Sequence, residues 1–204
     1  MESLLRLSRL IDAVNERVGR SIYWLVLIAV LISAGNAVVR KTFNWSSNAL
    51  LEIQWYLFAT VFLLGAGYTL FKNEHVRIDV ISGHLSHKAQ LWIDLIGTVF
   101  FLTPLCLLIL YYGWPYFMNS FISQEWSSNP GGLIIWPVKI MIPAGFFLLL
   151  LQALSQLIKI IGGLSGHVDP ATLIKSHGHG SADVEVEEFR AMLSDRPTPN
   201  NDNK

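Results

Sequence analysis

Four long apolar runs constrain the fold of this chain more than any other feature. They cover about residues 21–40, 49–71, 89–112 and 133–161. Each is at least as long as the roughly 20 apolar residues that a helix needs to cross a bilayer. Only 15% of the 204 residues are charged, whereas a soluble domain usually carries about 25%. A spanning helix also satisfies its own backbone hydrogen bonds. The sequence therefore predicts an all-α integral membrane protein with four transmembrane helices, whose membrane domain covers residues 21–165.

A dense polar segment, residues 72–88, separates the second run from the third. Its position between two spans predicts a turn at the water boundary. Val76, Val80, Ile81 and Leu85 recur at a spacing that places them on one side of a helix. We therefore expect a short cytoplasmic surface helix here.

The N-terminal segment, residues 1–20, has a different pattern. Its apolar residues recur every three or four positions, with arginines between them. This predicts an amphipathic interfacial helix in the headgroup region. The alternative is a soluble coiled-coil fragment, for which two to three heptads are short. The following apolar run is too long for a signal peptide, so we expect an uncleaved anchor. The apolar positions are Leu4, Leu7, Ile11, Val14 and Val18.

Polar and small residues dominate from residue 166 onward, which predicts a disordered cytoplasmic tail over 166–204. His177 and His179 lie in this tail, and two histidines in a flexible segment make a poor metal site. The single cysteine, Cys106, lies within an apolar run and is expected to act as a small apolar filler. We therefore predict no metal site and no disulfide.

The distribution of basic residues predicts the orientation, because cytoplasmic segments are enriched in Lys and Arg. Four arginines lie before residue 21, three basic residues lie in 72–88, and Lys159 lies near the end of the fourth run. The opposite side has only Arg40, Lys41 and Lys139. Both termini are therefore predicted to lie in the cytoplasm.

Two acidic residues lie inside the predicted spans, both near span ends. Glu52 is expected either to pair with Arg40, Lys41 or Lys139, or to lie among headgroups and stabilise a helix N-terminus through its dipole. Asp94 is expected near the opposite surface, within reach of basic residues there. A structural tie is favoured over a proton or ion relay for Asp94.

Several kinds of chemistry are missing from the sequence. The predicted spans carry no charge near their midpoints and no histidine. Axial ligands for an intramembrane haem are therefore lacking, which disfavours a membrane anchor of a redox enzyme. Fifteen acidic and fifteen basic residues balance, so there is no general attraction to nucleic acid. We predict no catalytic residues, no cofactor and no enzymatic activity. A stand-alone four-span assembly or signalling protein remains an alternative to an accessory subunit.

Four short motifs occur in order along the four runs. They are Glu52-x-x-Trp55, the segment 73–80 (NEHVRIDV), Trp92-Ile93-Asp94, and Pro137 followed by residues 142–146 (IPAGF). Together they resemble the DctQ-like family, the small membrane subunits of TRAP (tripartite ATP-independent periplasmic) transporters.

The resemblance implies a partner-dependent role in transport. It implies a large DctM-like membrane subunit that moves a solute, commonly an organic acid, with a sodium gradient. It also implies a periplasmic substrate-binding protein and a location in the inner membrane of a bacterial cell, with membrane lipid around the complex. The small subunit would scaffold the large one. The candidate interface and structural polar residues are Glu52, Trp55, Asn73, Glu74, His75, Arg77, Asp79 and Asp94.

Overall fold

The computed structural model describes residues 2–45, 47–72 and 87–165, and this part of the chain is helical apart from short connections. Four stretches are long and apolar enough to span a membrane, which confirms the predicted all-α membrane architecture. The expected surface helix and the C-terminal tail lie outside the described residues. The helices are α1 (Glu2–Phe43), α2 (Asn48–Lys72), α3 (His87–Gly97), a π-helical turn (Thr98–Leu102), α4 (Thr103–Ile122), α5 (Trp136–Lys139) and α6 (Met141–Leu164).

Helix α1 is continuous over 42 residues, where the sequence predicts an interfacial helix followed by a separate span. At 1.5 Å per residue it is about 63 Å long, roughly twice the thickness of the hydrocarbon core. The glycine near the expected boundary does not interrupt it. Gly19 lies against the ring of Tyr68, so close that a Cβ atom would come within 2.2 Å of the ring. Packing against Tyr68 of α2 therefore stabilises α1 near residue 20, where the sequence predicts the boundary between the interfacial helix and the first span.

The third span contains the π-helical turn immediately before Pro104. Proline has no N–H to donate to the carbonyl four residues back, and its ring crowds that carbonyl. The wider π-helical turn relieves this crowding. The hydroxyl of Thr103 donates a hydrogen bond to the carbonyl of Thr98 at 2.8 Å. The helix continues to Ile122, ten residues beyond the end of the third apolar run at residue 112. The fourth span begins with α5, in whose first turn Pro137 lies.

Helices α1, α2 and α6 pack together at glycines. Gly145 of α6 lies against the backbone of Leu63, and Gly67 of α2 lies against Leu148 and the side chain of Asn15. These pairs show that α2 and α6 run parallel, with α1 antiparallel to both. Small residues allow this approach in a bilayer. Cys106 is fully buried in the apolar core beside Leu70, Leu149 and Ala153.

Two helices continue past the end of α2. Because residue 63 lies beside 145 and 67 beside 148, Lys72 is level with α6 near residue 153. Helix α6 then runs about 11 residues further, roughly 16 Å. The N-terminal part of α1 runs beside it. We call residues 2–14 and 153–164 the two-helix extension.

We predict that Gly145→Ala destabilises the bundle. The new Cβ atom would lie 2.6 Å from the carbonyl oxygen of Leu63, so α2 and α6 must separate. A loss of about 1–3 kcal/mol in the free energy of unfolding is expected. Circular dichroism during denaturant unfolding in detergent micelles measures it. The control is Gly35→Ala, where a Cβ atom meets nothing within 4 Å. Equal losses in the two variants would contradict the close approach.

Candidate functional site

Polar side chains form two groups at opposite ends of the bundle. We call the first the loop cluster: Glu52 at the start of α2 and the loop of residues 123–135 between α4 and α5. We call the second the helix-pair cluster. It consists of Ser8, Asp12, Asn15, Gln152, Ser155 and Lys159.

Glu52 is the centre of the loop cluster. Its carboxylate accepts hydrogen bonds from the Ser127 hydroxyl, from the Asn129 side-chain amide at 2.9 Å and from the Leu133 backbone N–H at 2.6 Å. The sequence predicts either a basic partner or a headgroup location for this residue. In the described part of the chain its partners are instead neutral donors of the loop. Which donors reach Glu52 depends on a loop that lies 75 to 81 residues further along the chain. The local sequence pattern does not reveal that contact.

Further contacts hold the same loop over the start of α2. The side-chain amide of Asn48 donates to the Pro130 carbonyl at 2.9 Å, and the Tyr56 hydroxyl donates to the Ile134 carbonyl at 3.3 Å. Gly131 has a φ of 71°, a conformation that glycine adopts without strain. These contacts make the loop a cap over the start of α2.

A charged pair supports the base of the loop. The Lys139 ammonium lies 2.5 Å from the Glu125 carboxylate and 4.2 Å from the centre of the Tyr116 ring. Lys139 itself is buried. The hydrogen bond that the Lys139 ammonium donates to Glu125 lowers the pKa of the Glu125 carboxyl below its ordinary value. The carboxylate therefore stays ionised over a wider range of pH than an isolated glutamate.

A shallow cavity of about 470 Å³ opens between α2 and the loop. Trp55, a predicted interface residue, lines it and is 76% exposed. Phe58 and Phe62 follow Trp55 along α2 and are also exposed. Spacings of three and four place these rings on one side of the helix. The lining also includes Asn48, Glu52, Tyr56, Ser127 and Asn129.

The helix-pair cluster is centred on Asp12. One carboxylate oxygen accepts from the Gln152 amide at 3.0 Å and from the Ser155 hydroxyl at 2.8 Å. The other lies 2.5 Å from the Lys159 ammonium. An ion pair with additional hydrogen bonds satisfies the polar groups that are removed from water. Asp12 therefore ties the start of α1 to the end of α6.

Two more hydrogen bonds flank Asp12. The hydroxyls of Ser8 and Ser155 are 2.8 Å apart, and the Asn15 amide donates to the Gln152 side-chain oxygen at 2.9 Å. All four of these side chains are almost fully buried. The helix-pair cluster is not among the predicted site residues. Its signal in the sequence is the recurrence of Ser8, Asp12 and Asn15 at spacings of four and three.

The apolar positions of the N-terminal segment are mostly exposed in the described structure. Ile11 is buried and Val18 is half-buried, whereas Leu4, Leu7 and Val14 are exposed. The side of α1 that packs on α6 is the polar one, where the residues of the helix-pair cluster find their hydrogen-bond partners.

The other predicted site residues have separate locations. Asp94 lies half-buried in α3, and Trp92 beside it is exposed. Lys159, one of the basic residues near the membrane surface where Asp94 is expected, pairs with Asp12. Asn73, Glu74, His75, Arg77 and Asp79 lie outside the described residues, so their predicted roles remain predictions.

The chemistry of the described residues is structural. Among residues 2–45, 47–72 and 87–165, no group of three His, Cys, Asp or Glu side chains could hold a metal ion. The polar clusters join helix ends, and the exposed middle of the bundle is apolar. These features define a multi-pass α-helical membrane protein that presents a large apolar surface.

A model of the family described as "Tripartite ATP-independent periplasmic transporters, DctQ component" matches residues 29–163. The match covers more than half of the chain, so the chain belongs to the DctQ family of TRAP-transporter small membrane subunits. This is a family of transporter components. No curated protein and no solved structure gives a match. The matched range contains the loop cluster but begins after Ser8, Asp12 and Asn15.

We predict that Asp12→Ala loosens the helix pair. The substitution leaves the Lys159 ammonium without its anion and the Gln152 side-chain amide without its acceptor, whereas Ser155 keeps its contact with Ser8. Because the Lys159 side chain is 30% exposed, the expected loss is moderate, about 1–3 kcal/mol in the free energy of unfolding. Denaturant unfolding in micelles measures it.

Glu16→Ala is the matched control for Asp12→Ala. Glu16 pairs with Arg20 on the exposed side of the same helix, and such pairs contribute little. Adding Lys159→Met to Asp12→Ala should restore part of the stability, since it removes the unpaired charge. A loss for Asp12→Ala no larger than for Glu16→Ala would refute the tie.

We predict that the loop cluster weakens in acid. Because the folded-state pKa of Glu125 lies below its ordinary value, its pair with Lys139 stabilises the loop fully above the usual glutamate range, about pH 4.3. That stability is lost as the pH falls through the folded-state pKa. Hydrogen-exchange protection at the Ile135 amide, which donates to the Glu125 carbonyl, reports it. Glu125→Gln should lack this part of the pH dependence; an unchanged profile in the variant would count against the pair.

Proposed function

We propose that this chain is the small permease subunit of a TRAP-type secondary transporter. It supports ion-gradient-driven uptake of an organic acid or a related small solute by scaffolding a large DctM-like membrane subunit. A periplasmic substrate-binding protein delivers the solute. Family membership supports the transport role, and the distribution of charge in the chain supports the scaffolding role.

The distribution of charge is the observation that carries the proposal. Segments 21–39, 53–71, 95–122 and 140–158 contain no Asp, Glu, Lys or Arg. A path for an anionic solute or a cation needs polar groups at membrane depth. The clusters found here lie at helix ends and are occupied with joining helices. The solute therefore crosses through the partner.

The sides of the bundle offer contact area for that partner. Large aromatic side chains project from two faces, one on α2 and one on α3 through α4. Helices associate in lipid by close packing rather than by leaving water. A broad, rigid apolar side is suited to lie against the immobile part of a larger transporter. The most exposed of these rings are Trp55, Phe58, Phe62, Phe101 and Tyr111.

We place both termini in the cytoplasm, with the loop cluster on the periplasmic side. The excess of Arg and Lys before residue 21 and after residue 71 supports this orientation. Residues 42–49 and 113–135 then face the binding protein and contribute to its docking. A reporter that is active only in the periplasm, fused after Lys204, should be silent; activity would reverse the orientation.

We propose that the segment 73–80, together with Asp94, joins the cytoplasmic end of the complex. The density of charged residues in this segment and its resemblance to the family motif support that role. Glu74, Arg77 and Asp79 are the residues that would form the ties.

Reconstitution of the three components in vesicles tests the proposed function. With an inward sodium gradient, the complete set should accumulate an organic acid that the binding protein carries. Vesicles without this chain should lose that uptake, and vesicles with this chain alone should show none. Accumulation by this chain alone would sink the scaffolding role, as would full uptake in its absence.

The same vesicles test Arg77. Arg77→Ala should reduce uptake and co-purification with the large subunit severalfold, because the cytoplasmic tie is lost. Lys41→Ala is the matched control, because Lys41 is a basic residue in the last turn of α1, on the side of the membrane opposite to the one proposed for Arg77. This variant should retain uptake and co-purification. Normal uptake and normal co-purification with Arg77→Ala would rule out the role assigned to Arg77.

A further inference from the structure

The N-terminal part of α1 extends past the membrane at one end of the bundle. Gly67 of α2 lies against Asn15 of α1, and the two helices run antiparallel. Lys72, the last residue of α2, is therefore level with about residues 10–15 of α1. An exposed apolar side chain before this level meets headgroups or water rather than acyl chains.

Two basic and two apolar side chains are exposed on the outer side of this part of α1. Leu7 and Leu10 are 49% and 66% exposed, and Arg6 and Arg9 are also exposed. At about 100° per residue, each pair covers roughly 60° of the helix surface and the two pairs are adjacent. Ser8, which contacts α6, lies on the opposite side. We call the two arginines and the two leucines the α1 face.

The α1 face combines exposed apolar area with positive charge. In the described part of the chain neither arginine forms an ion pair, whereas Arg20 is held by Glu16 at 2.7 Å. Apolar side chains gain free energy when they leave water, and guanidinium groups favour a carboxylate partner. The face is therefore suited to an amphipathic segment that carries carboxylates beside apolar side chains.

Residues 183–193 of the same chain have this complementary pattern. The segment, DVEVEEFRAML, contains four acidic residues and one arginine. Three of its apolar residues recur at spacings of three and four, which places them on one strip of a helix. Glu185 and Glu188 lie on one flank of that strip. The strip consists of Val186, Phe189 and Leu193.

The described part of the chain ends close to the α1 face. Ser165 follows α6 at the end that packs beside the start of α1, because Ser155 contacts Ser8. Residues 166–182 connect Ser165 to the acidic segment. A flexible chain of 17 residues has an r.m.s. length of roughly 23 Å, which is enough to reach back to the α1 face. A tether of this kind also provides a high effective concentration.

We propose that residues 183–193 dock as an amphipathic helix on the α1 face. The two glutamates pair with the two arginines, and the apolar strip of the segment covers the two leucines. The C-terminal tail is predicted to be disordered, and segments of this kind can fold on a partner. Charge complementarity favours this occupant over a second copy of α1, whose face is also basic. The proposal does not depend on the proposed function.

Disulfide formation in the full-length protein tests the contact. The chain is placed in lipid nanodiscs that each hold one copy. Cys106, the single cysteine, is fully buried, so the wild-type chain should form no crosslink. Leu10→Cys combined with Phe189→Cys should form an intramolecular disulfide under mild oxidation.

Ile161→Cys combined with Phe189→Cys is the matched control. Ile161 is 48% exposed and lies close to Ser165 at the end of α6. It is about 120° to 160° around α6 from Ser155 and Lys159, which contact α1. This pair should crosslink severalfold more slowly than the Leu10 pair. Equal or faster crosslinking at position 161 would show a freely moving tail and would overturn the proposal.

Charge reversal tests the pairing. R6E/R9E should slow the crosslink between positions 10 and 189 about 10-fold, since two favourable pairs become repulsive. Adding E185R/E188R should restore most of the rate. Helix content and the unfolding midpoint should stay at the values of the parent chain, which shows that the variants fold. An unchanged rate in R6E/R9E, or a slower rate that E185R/E188R does not restore, would contradict the docking.

Thiol labelling tests whether the segment covers the apolar side of the face. A water-soluble maleimide should label Leu10→Cys slowly, and severalfold faster when Phe189→Asp is added. Ala191→Asp is the control and should leave the rate unchanged, because Ala191 lies opposite the apolar strip of the segment. Fast labelling with the natural tail would show that position 10 is open to water. A slow rate that Phe189→Asp does not change would assign the cover to another group, and either result would refute the proposal.

Discussion

Helices in lipid gain little by burying apolar side chains against one another, because acyl chains are equally apolar. Something else must therefore hold this bundle together. In the structure it is close backbone approach at glycines and hydrogen bonding of polar side chains to a protein partner. Gly145 against Leu63 brings α2 and α6 together, and Asp12 with Lys159 joins α1 to α6. These contacts also hold the part of the continuous 42-residue helix α1 that extends past the end of α2.

The polar clusters hold the two ends of the bundle rigidly, and the exposed surface between them is apolar. At one end Glu52 holds the loop that links α4 to α5, and at the other Asp12 fixes the two-helix extension. Both carboxylates are used internally, so neither is available to carry an ion or a proton through the protein. Shape and contact surface are the contribution that we propose for this member of the DctQ family.

Prediction from the sequence worked where the physical signal is local. The four apolar runs depend only on neighbouring residues, and the structure contains four helical stretches of that length and hydropathy. Prediction failed where a partner lies far along the chain. Glu52 accepts from residues 75 to 81 positions away, and Asp12 pairs with a lysine 147 positions away.

The sequence by itself determined that the chain crosses a membrane, roughly where it does so, and to which family it belongs. Length, hydropathy and short motifs are properties of contiguous residues, and the bilayer imposes the helical state on each run separately. Only the tertiary structure decided which polar groups meet. It turned Ser8, Asp12 and Asn15 towards α6 and left Leu7 and Leu10 exposed. The reason is that an unpaired polar side chain at membrane depth is costly while an exposed apolar one is not, so the choice of face depends on where a second helix supplies a partner.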